Sequence, residues 1–499
     1  MIANARKQPD YHQWVLCLLI GLSVLRIVWL FFSPLGLHGD EAQYWAWSRS
    51  FEWGYFSKPP MIAWLIGATT SIFGNEEWAI RLSSPIIHPI TAYVLFRTGR
   101  FLFDAKTGFI AACLYFLMPA VWLSSAIAST DVALLLFWSL AMNAWAHFRE
   151  TPTFKWAAGL GIFIGLGMLS KYAMLFFVIA TGLITLFDGK TRKALLSKFG
   201  VWTALVAVII ISPNIVWNAA NDFQTVGHTA ANANLKGIPF NPMELLEFIG
   251  SQFGVFGPIT FGLLLAALGF AVKRKLTPTT QMLAVFTLVP LLVICAEAFI
   301  SRANANWAVT SYIGGCLLTA YLIATRAPKI GKIGIGINVA LGAAMAVLSL
   351  SPALTNATGF ANSVKRMRGW PATTTQIVDV AKLGYENQSF SAIATDNRLT
   401  FFDLTYYGLA EQSGISLRSW LFSKHIHNHA EATHPLAASN VEEAPILIVN
   451  YYQNYEKYLR EDFARLERLD PIHIDLGGGK TRTYFMWAGF GYTPTEDYR

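Results

Sequence analysis

Charged residues are scarce in this sequence. Only 14% of the 499 residues are Asp, Glu, Lys or Arg, whereas 54% are hydrophobic. So few charges cannot cover a folded chain of this length with a water-facing surface. The composition therefore excludes a soluble globular protein and indicates a polytopic membrane protein.

Cysteines are also few, and they stand alone. Cys17, Cys113, Cys295 and Cys316 each fall inside an apolar run without paired spacing, so they indicate neither disulfides nor a zinc site. His425, His427 and His429 alternate as in a metal-binding strand, but no matching set of Asp, Glu or Cys residues lies nearby, and we predict no metal site there. The chain also lacks an internal repeat, which disfavours many transporter folds.

The net charge of +8 comes from 38 basic against 30 acidic residues. The basic residues sit in short blocks between apolar runs, where they mark membrane topology, so we expect no nucleic-acid partner. The first apolar run follows Arg6 and Lys7 and lacks a small-residue cleavage signature, which predicts an uncleaved first helix.

Apolar runs long enough to cross a bilayer recur along the first 352 residues. A membrane helix needs about 20 apolar residues. On this basis we predict about eleven spans, near 14–32, 79–98, 107–123, 132–148, 156–170, 172–187, 200–217, 249–272, 279–300, 308–325 and 333–352.

The distribution of basic residues predicts the orientation. With a cytoplasmic N-terminus, the inner segments hold sixteen Lys and Arg, and the outer loops hold four, namely Arg49, Lys58, Lys236 and Arg302. The positive-inside rule then places 33–78, 124–131, 218–248 and 301–307 on the external face, together with the chain after Ser351.

Residues 353–499 are polar and predict a separate small α/β domain outside the membrane, after a membrane domain of residues 1–352. We predict strands at 390–395 and 445–449, helical segments at 362–383 and 451–469, and a hairpin of 472–476 with 482–487. This domain shows no catalytic constellation of its own. We interpret it as a lid, an acceptor-docking surface or a stabilising cap.

The first external loop holds the densest group of candidate catalytic residues. Asp40 and Glu41 are adjacent carboxylates among aromatic residues at the membrane surface, where a carboxylate can act as a general base. The alternative is a solvated helix start whose acidic residues favour the helix dipole. Lys58 precedes two prolines that stiffen the backbone, which suits an ammonium held for a phosphate oxygen. An ordinary interfacial lysine is the alternative.

Four further charged residues stand at membrane ends or between apolar runs. Asp131 opens the fourth span, either as a second acidic residue of the site or as part of a helix cap. Lys171, Arg81 and Arg302 are candidates because charges at such positions are costly without a partner. Snorkelling is the alternative, and for Arg81 so is an ion pair with Glu77, one turn away. The short loop at Arg302 also contains Asn306 and Trp307, a donor and a ring suited to a phosphosugar.

The order of these motifs resembles the dolichyl-phosphate-mannose protein mannosyltransferase superfamily. Within it, the chain is similar to the bacterial branch of aminoarabinose and galacturonic acid transferases that act on lipid A and lipopolysaccharide core. The resemblance covers residues 10 to about 350 and rests on Asp40-Glu41 with Tyr44 and Trp45, Lys58-Pro59-Pro60, Arg81-Leu82, Ser129-Thr130-Asp131, Lys171 and Asn306-Trp307.

The resemblance implies a GT-C membrane fold in the inner membrane and an inverting glycosyltransferase with a polyprenyl-phosphate-linked sugar as donor. The acceptor would be a glycolipid such as lipid A or lipopolysaccharide core, or a protein. Two rival hypotheses remain: a flippase or other transporter of lipid-linked sugars, and a sensor or scaffold whose C-terminal domain binds a partner. No cofactor is obligatory, although Asp40, Glu41 and Asp131 could hold a divalent cation.

The family's site residues can be carried over onto matching positions. Asp40 is expected to be the base, with Glu41 and Asp131 as further acidic residues. Lys58 is expected to bind the donor phosphate together with Arg302, Lys171 and Arg81. The remaining expected substrate contacts are Tyr44, Tyr55, Asn306 and Trp307.

Overall fold

A computed structural model describes residues 9–232, 240–422, 426–437 and 444–495. Helices dominate it up to Leu350. They are α1 (Tyr11–Phe32), α2 (Gly39–Ser48), α3 (Met61–Phe73), α4 (Glu77–Arg81), α5 (Ser83–Leu102), α6 (Ala105–Phe116), α7 (Pro119–Ser124), α8 (Thr130–Glu150), α9 (Phe154–Ser170), α10 (Leu175–Ile184), α11 (Gly189–Leu195), α12 (Lys198–Ala220), α13 (Gln224–Asn232), α14 (Pro242–Val255), α15 (Pro258–Val272), α16 (Pro278–Ile300), α17 (Ser311–Thr325) and α18 (Pro328–Leu350).

The helices of the membrane region do not confirm the predicted count of eleven spans. Among the described residues, five helices are long and apolar enough to cross a bilayer, or up to seven if each of two bent pairs counts as one span. Several predicted spans coincide with helices too short to cross alone, such as α6 with 12 residues and α17 with 15. The count of eleven is therefore not confirmed, whereas the α-helical membrane architecture is.

The predicted span at 249–272 is two helices rather than one. α14 and α15 meet at an angle of 111°. Gly257 between them has φ of +99°, and Pro258 follows at the first position of α15. A positive φ favours glycine and a proline cannot continue the preceding helix, so these two residues explain the break.

The C-terminal region adds short helices and one mixed sheet. The helices are α19 (Pro352–Ala357), α20 (Ala361–Val364), α21 (Trp370–Leu383), α22 (Arg398–Tyr406), α23 (Leu409–Ser413), α24 (His429–Thr433) and α25 (Glu456–Asp462). The strands are β1 (Ala392–Thr395), β2 (Leu417–Ser419), β3 (Ile446–Asn450), β4 (Phe463–Gly477) and β5 (Lys480–Tyr492).

The sheet has the order β2-β1-β3-β5-β4. β1 pairs in parallel with β2 and β3, whereas β5 is antiparallel to β3 and β4. The predicted strands at 390–395 and 445–449 and the hairpin across Gly478 are present. The predicted helix at 451–469 is wrong beyond Asp462, because Phe463 begins the long strand β4.

The C-terminal region and the first loop share one hydrophobic core. Tyr44 and Trp47 of α2 belong to the same buried cluster as Phe401 and Phe402 of α22. The two helices approach most closely at Gly39, where an added Cβ would lie 2.6 Å from Cβ of Leu399. Only glycine allows this approach, which brings the N-termini of α2 and α22 together.

Candidate active site

A cavity of about 520 Å³ lies where the first loop, the ends of several membrane helices and α22 meet. It contains most of the residues singled out from the sequence. The predicted site residues among those that line it are Asp40, Glu41, Tyr44, Lys58, Asp131, Lys171, Arg302, Asn306 and Trp307. Residues far apart in the sequence are thus brought into one pocket, large enough for a small-molecule ligand.

The N-terminus of α2 positions Asp40. His38 is the N-cap, and its side chain accepts a hydrogen bond from the Asp40 N–H, while the Glu41 carboxylate accepts one from the His38 N–H. This reciprocal capping fixes the first turn of the helix. The Asp40 side chain remains 43% exposed towards the cavity, so a substrate can reach its carboxylate.

Glu41 is not available to substrate in the same way. Arg81 Nη2 donates to its Oε2 at 2.8 Å and Arg81 Nε to its Oε1 at 2.9 Å, with both side chains almost fully buried. Burial alone raises the pKa of Glu41, but Arg81 and backbone donors from His38 and Ala128 bring that pKa below its ordinary value. The carboxylate therefore stays charged within a closed pair.

Arg81 lies outside the cavity lining, contrary to what is expected of a phosphate ligand. Besides Glu41 it donates to the carbonyl oxygens of Leu35 and Gly36 at 2.9 and 2.6 Å. The ion pair suggested with Glu77 is formed with Glu41 instead. These bonds join α4 to the segment before α2, so the pair braces the loop that carries Asp40.

Asp131 lies at the centre of a second cluster of polar residues, together with Lys171 and Asn306. Ser129 caps α8 by accepting from the Asp131 N–H, and this places the carboxylate at the cavity wall. Lys171 Nζ donates to Asp131 Oδ1 at 2.7 Å, and Asn306 Nδ2 donates to Oδ2 at 2.6 Å. Asp131 therefore orients a lysine and an amide from two other loops, and Trp307 lies beside them in the lining.

Lys58 is the second lysine of the cavity and is half-buried. Burial lowers its pKa, and the charge of Lys171 lowers it further, against the opposing influence of Asp40 and Asp131. The charged form of Lys58 is disfavoured in this environment, and an anion that binds beside it would stabilise that charge. Arg302, which is exposed, completes the cations contributed by the membrane part.

The C-terminal region contributes Arg398, which sequence reasoning missed. Its Nη1 donates to Asp40 Oδ1 at 3.1 Å and to Gln43 Oε1. Arg398 opens α22, whose N-cap Asn397 accepts from the Leu399 and Thr400 N–H groups. No local motif marks it, because its place depends on the packing of α22 against α2. His228 of α13 also lines the cavity, and burial lowers its pKa to about 4.

The two predicted tyrosine contacts have different positions. Tyr44 lines the cavity wall, with 8% of its side chain exposed. Tyr55 lies in a neighbouring cavity of about 1020 Å³, where its ring stacks on Trp47 at 4.9 Å. Its hydroxyl donates to the carbonyl oxygens of Trp47 and Ser50. Tyr55 therefore packs against the loop that carries Trp47 and Ser50 and does not line the candidate active-site cavity.

The cavity carries an excess of positive charge. Its basic residues are Lys58, Lys171, Arg302 and Arg398, and its acidic residues are Asp40, Glu41 and Asp131. Arg81, outside the lining, neutralises Glu41. Counting both histidines as neutral, the remaining groups leave two positive charges uncompensated. Such a pocket attracts anions, and its lysines and arginines match phosphate oxygens in particular.

Each of the three carboxylates that could hold a divalent cation has a cationic side chain as its partner. Asp40 is paired with Arg398, Glu41 with Arg81 and Asp131 with Lys171. In the part of the chain that the structure describes, no three His, Cys, Asp or Glu residues converge as metal ligands. His425, from the alternating histidines, lies outside the described residues.

The chain is similar to known proteins both in sequence and in fold. The family model described as dolichyl-phosphate-mannose-protein mannosyltransferase matches residues 57–217. The chain is 34% identical over 393 residues to the lipid A galacturonosyltransferase RgtD of Rhizobium johnstonii, covering 78% of this chain and 82% of that protein.

Two further similarities are more distant. Over 180 residues, 32% of each chain, it is 25% identical to an undecaprenyl phosphate-alpha-4-amino-4-deoxy-L-arabinose arabinosyl transferase of Pseudomonas fluorescens. Its fold matches ArnT from Cupriavidus metallidurans bound to undecaprenyl phosphate with a TM-score of 0.65 at 13% identity, over 97% of this chain and 99% of that one. With this fold and the long match to the Rhizobium protein, the chain belongs to the dolichyl-phosphate-mannose protein mannosyltransferase superfamily of membrane glycosyltransferases, in the branch that includes the lipid A galacturonosyltransferase.

Proposed function

We propose that this protein transfers a sugar from a polyprenyl-phosphate donor to lipid A or lipopolysaccharide core at the external face of the inner membrane. One observation carries the proposal. A carboxylate that substrate can reach, Asp40, shares a positively charged cavity with Lys58, Lys171 and Arg302. The relatives named above use lipid-linked sugars or modify lipid A, and the same chemistry fits this cavity.

The reaction we propose is a single displacement with inversion. An acceptor hydroxyl attacks the anomeric carbon on the face opposite the phosphate, and the bond from that carbon to the phosphate oxygen breaks. Asp40 takes the hydroxyl proton, and the electron pair of the broken bond leaves with the phosphate. Phosphate is a good leaving group, so positioning and charge neutralisation carry most of the rate.

The cations have the greater part in this scheme because the phosphate gains charge as it leaves. It is a singly charged diester in the donor and approaches a doubly charged monoester in the product. Lys58 and Arg302 would bind its oxygens. Lys171, held by Asp131 at 2.7 Å, would add its charge from a fixed position. Asn306 and Trp307 would contact the sugar.

The charge of the cavity bears on the class of donor sugar. The uncompensated positive charge suits a donor with two anionic groups, the phosphate and a carboxylate on the sugar. A sugar carrying an ammonium group would meet repulsion from Arg398 and Lys58. We therefore favour a uronic acid, as in the name of the Rhizobium relative, over the aminoarabinose of the Pseudomonas relative.

Orientation and domain division are part of the same proposal. Asp40, Lys58, Asp131 and Arg302 lie in segments that the positive-inside rule assigns to the external face, and they meet in one cavity that Lys171 also lines. We place the N-terminus in the cytoplasm and residues 353–499 in the periplasm as a second domain. All five strands follow residue 352, and α18 ends at Leu350.

Mass spectrometry of lipopolysaccharide and lipid-linked sugars from cells with and without the protein tests the proposal. We expect cells that lack it to lose a sugar from the glycolipid and to accumulate the polyprenyl-phosphate sugar. If the glycolipid is unchanged, lipid A or lipopolysaccharide core is not the acceptor. Purified protein in detergent separates transferase from flippase, because sugar transfer there needs no membrane to cross, and absence of transfer would favour transport.

A further inference from the structure

A smaller cavity, of about 230 Å³, lies in the C-terminal region behind the N-terminus of α2, and we call it the second cavity. Asp403, Arg482, Trp370 and Tyr484 line it, with Lys365 and Arg366 at the same cavity. None of these residues takes part in the reaction described above. Their combination of cations, a carboxyl group and aromatic rings needs an explanation of its own.

Asp403 is the unusual member of this group. Its side chain is 1% exposed, and its Oδ1 has no hydrogen-bond partner among the described residues. Burial raises its pKa well above the ordinary value, against the influence of Arg482. Buried polar atoms are nearly always hydrogen-bonded, so an unpartnered carboxyl oxygen on a residue that lines a cavity is suited to a ligand hydroxyl.

Arg482 is held in place by its surroundings. Its guanidinium carbon lies 3.7 Å from the centre of a Trp370 ring. Nη1 donates to Thr373 Oγ1 at 3.1 Å, and Nη2 donates to the Lys365 carbonyl oxygen at 3.3 Å. The side chain is thus a rigid, 6% exposed cation at the cavity wall. With Lys365 and Arg366, three basic residues and one acidic residue line this cavity, and this balance favours an anionic ligand.

The wall beside Asp403 is aromatic. The Tyr484 hydroxyl is 2.9 Å from Thr400 Oγ1, and the ring packs edge-on against Tyr451 at 6.0 Å. Asp396 accepts from the backbone N–H groups of Tyr451 and Tyr452 and so fixes that segment. Aromatic faces beside hydrogen-bonding groups are the surfaces on which sugar rings pack.

The cavity adjoins the catalytic one. His38 lines both, and only Gly39 separates it from Asp40. On α22, Asn397 and Leu399 line the second cavity, whereas Arg398 between them lines the first. A molecule bound in the second cavity would therefore lie next to Asp40, the proposed base.

We infer that this second cavity binds a phosphate-bearing sugar ring of the acceptor glycolipid, through Asp403 on a hydroxyl and Arg482, Lys365 and Arg366 on the phosphate. The inference rests on the proposed function for the identity of the acceptor. The sugar-phosphate site itself stands on the residues of the cavity.

Calorimetry on the full-length protein in detergent tests the site without any reaction. The probes are glucosamine 1-phosphate, inorganic phosphate and methyl glucoside. We expect the sugar phosphate to bind about tenfold more tightly than either fragment, because only it engages both halves of the cavity. Equal binding of inorganic phosphate, or no binding of the sugar phosphate, would overturn the inference.

Two variants separate binding from folding. Asp403→Leu keeps the number and branching of the side-chain heavy atoms and removes an unpartnered polar group, so we expect a folded protein with little change in thermal stability and about tenfold weaker sugar-phosphate binding. Lys365→Gln with Arg366→Gln changes more exposed side chains and should weaken binding similarly. Asp379→Asn and Lys382→Gln, exposed on α21, are matched controls. Unaltered binding in both test variants would overturn the inference.

Transfer kinetics distinguish a glycolipid from a free sugar phosphate. We expect both test variants to raise KM for the glycolipid acceptor about tenfold and to leave kcat and the donor KM unchanged. An unaltered acceptor KM despite lost sugar-phosphate binding would overturn the acceptor assignment. If wild-type protein transfers no sugar but still binds glucosamine 1-phosphate, the proposed function fails while the sugar-phosphate site stands.

Discussion

Arg398 Nη1 donates a 3.1 Å hydrogen bond to Asp40 Oδ1 across a separation of 358 residues in the chain. The bond joins the first turn of α22 to the first turn of α2, so the C-terminal region contributes a side chain to the wall of the candidate active-site cavity. The sequence left three interpretations of the C-terminal region open, namely a lid, an acceptor-docking surface or a stabilising cap. The contact between Arg398 and Asp40 adds a fourth, in which the region supplies a residue of the site itself.

Substituting Arg398 is expected to reduce catalysis. Arg398→Gln removes one of the cavity's cations and the partner of Asp40. We expect kcat/KM for an anionic donor to fall about tenfold, less than the hundredfold of a buried oxyanion donor, because the side chain is 34% exposed. Initial rates with lipid-linked sugar and glycolipid in detergent measure this. Arg465→Gln, an exposed arginine paired with Glu386, is the control and should have no effect.

Asp40 and Lys58 are expected to differ in what their loss affects. If the acceptor is a hydroxyl, Asp40→Asn removes the base and should lower kcat by about 10²–10⁴-fold. Lys58→Ala should raise the donor KM as well as lower kcat, because it loses a phosphate contact. A phosphate acceptor needs no base. Near-normal turnover of purified Asp40→Asn protein would therefore exclude the hydroxyl mechanism.

The lowered pKa of Lys58 predicts the alkaline side of the pH profile. In the proposed reaction the protonated amine binds the donor phosphate, and burial lowers the pKa of Lys58 below the ordinary 10.5. As pH rises through this lowered pKa the free enzyme loses the charge, so kcat/KM for the donor should fall earlier than for an ordinary lysine. Lys58→Arg should move the fall to higher pH. Identical profiles for both proteins would show that another group controls it.

Most of the cavity could be predicted from the sequence because its signals are local. Asp40, Lys58 and Asp131 each stand at the end of an apolar run, beside a cap or a proline, and topology alone places them on one face. Arg398 could not be found this way. Its position depends on a close approach at Gly39 to Leu399, a tertiary contact with no local pattern.

The same distinction explains the incorrect expectations. Glu77 lies one helical turn from Arg81 and is the natural local partner, but the fold turns Arg81 towards Glu41, 40 residues away. Apolar residues at 466 and 469 fit a helical spacing, yet β-pairing of Phe463–Gly477 with β5 overrides it. Hydropathy also cannot detect a bend such as that at Gly257, because it records the apolar run and not its direction.

Chelation is expected to leave activity unchanged. Asp40, Glu41 and Asp131 already have cationic partners, and a metal ion would have to displace them. We expect transfer rates in excess EDTA to stay within about twofold of those in magnesium. The control is a metal-loaded assay of the same preparation. Loss of activity in EDTA that magnesium restores would show that the carboxylates rearrange around a divalent ion.

The buried pair of Glu41 and Arg81 is expected to stabilise the fold rather than act in catalysis. Glu41→Gln leaves the Arg81 guanidinium uncompensated at a site where both side chains are at most 3% exposed. Breaking such a pair costs roughly 3–5 kcal/mol, so the variant should unfold at a clearly lower temperature in detergent. Glu77→Gln, whose carboxylate accepts from the Tyr407 hydroxyl at 3.2 Å, is the control and should change little. The double variant Glu41→Gln with Arg81→Gln should recover part of the loss, because no isolated charge remains. A Glu41→Gln protein with full thermal stability but no activity would instead assign Glu41 to catalysis.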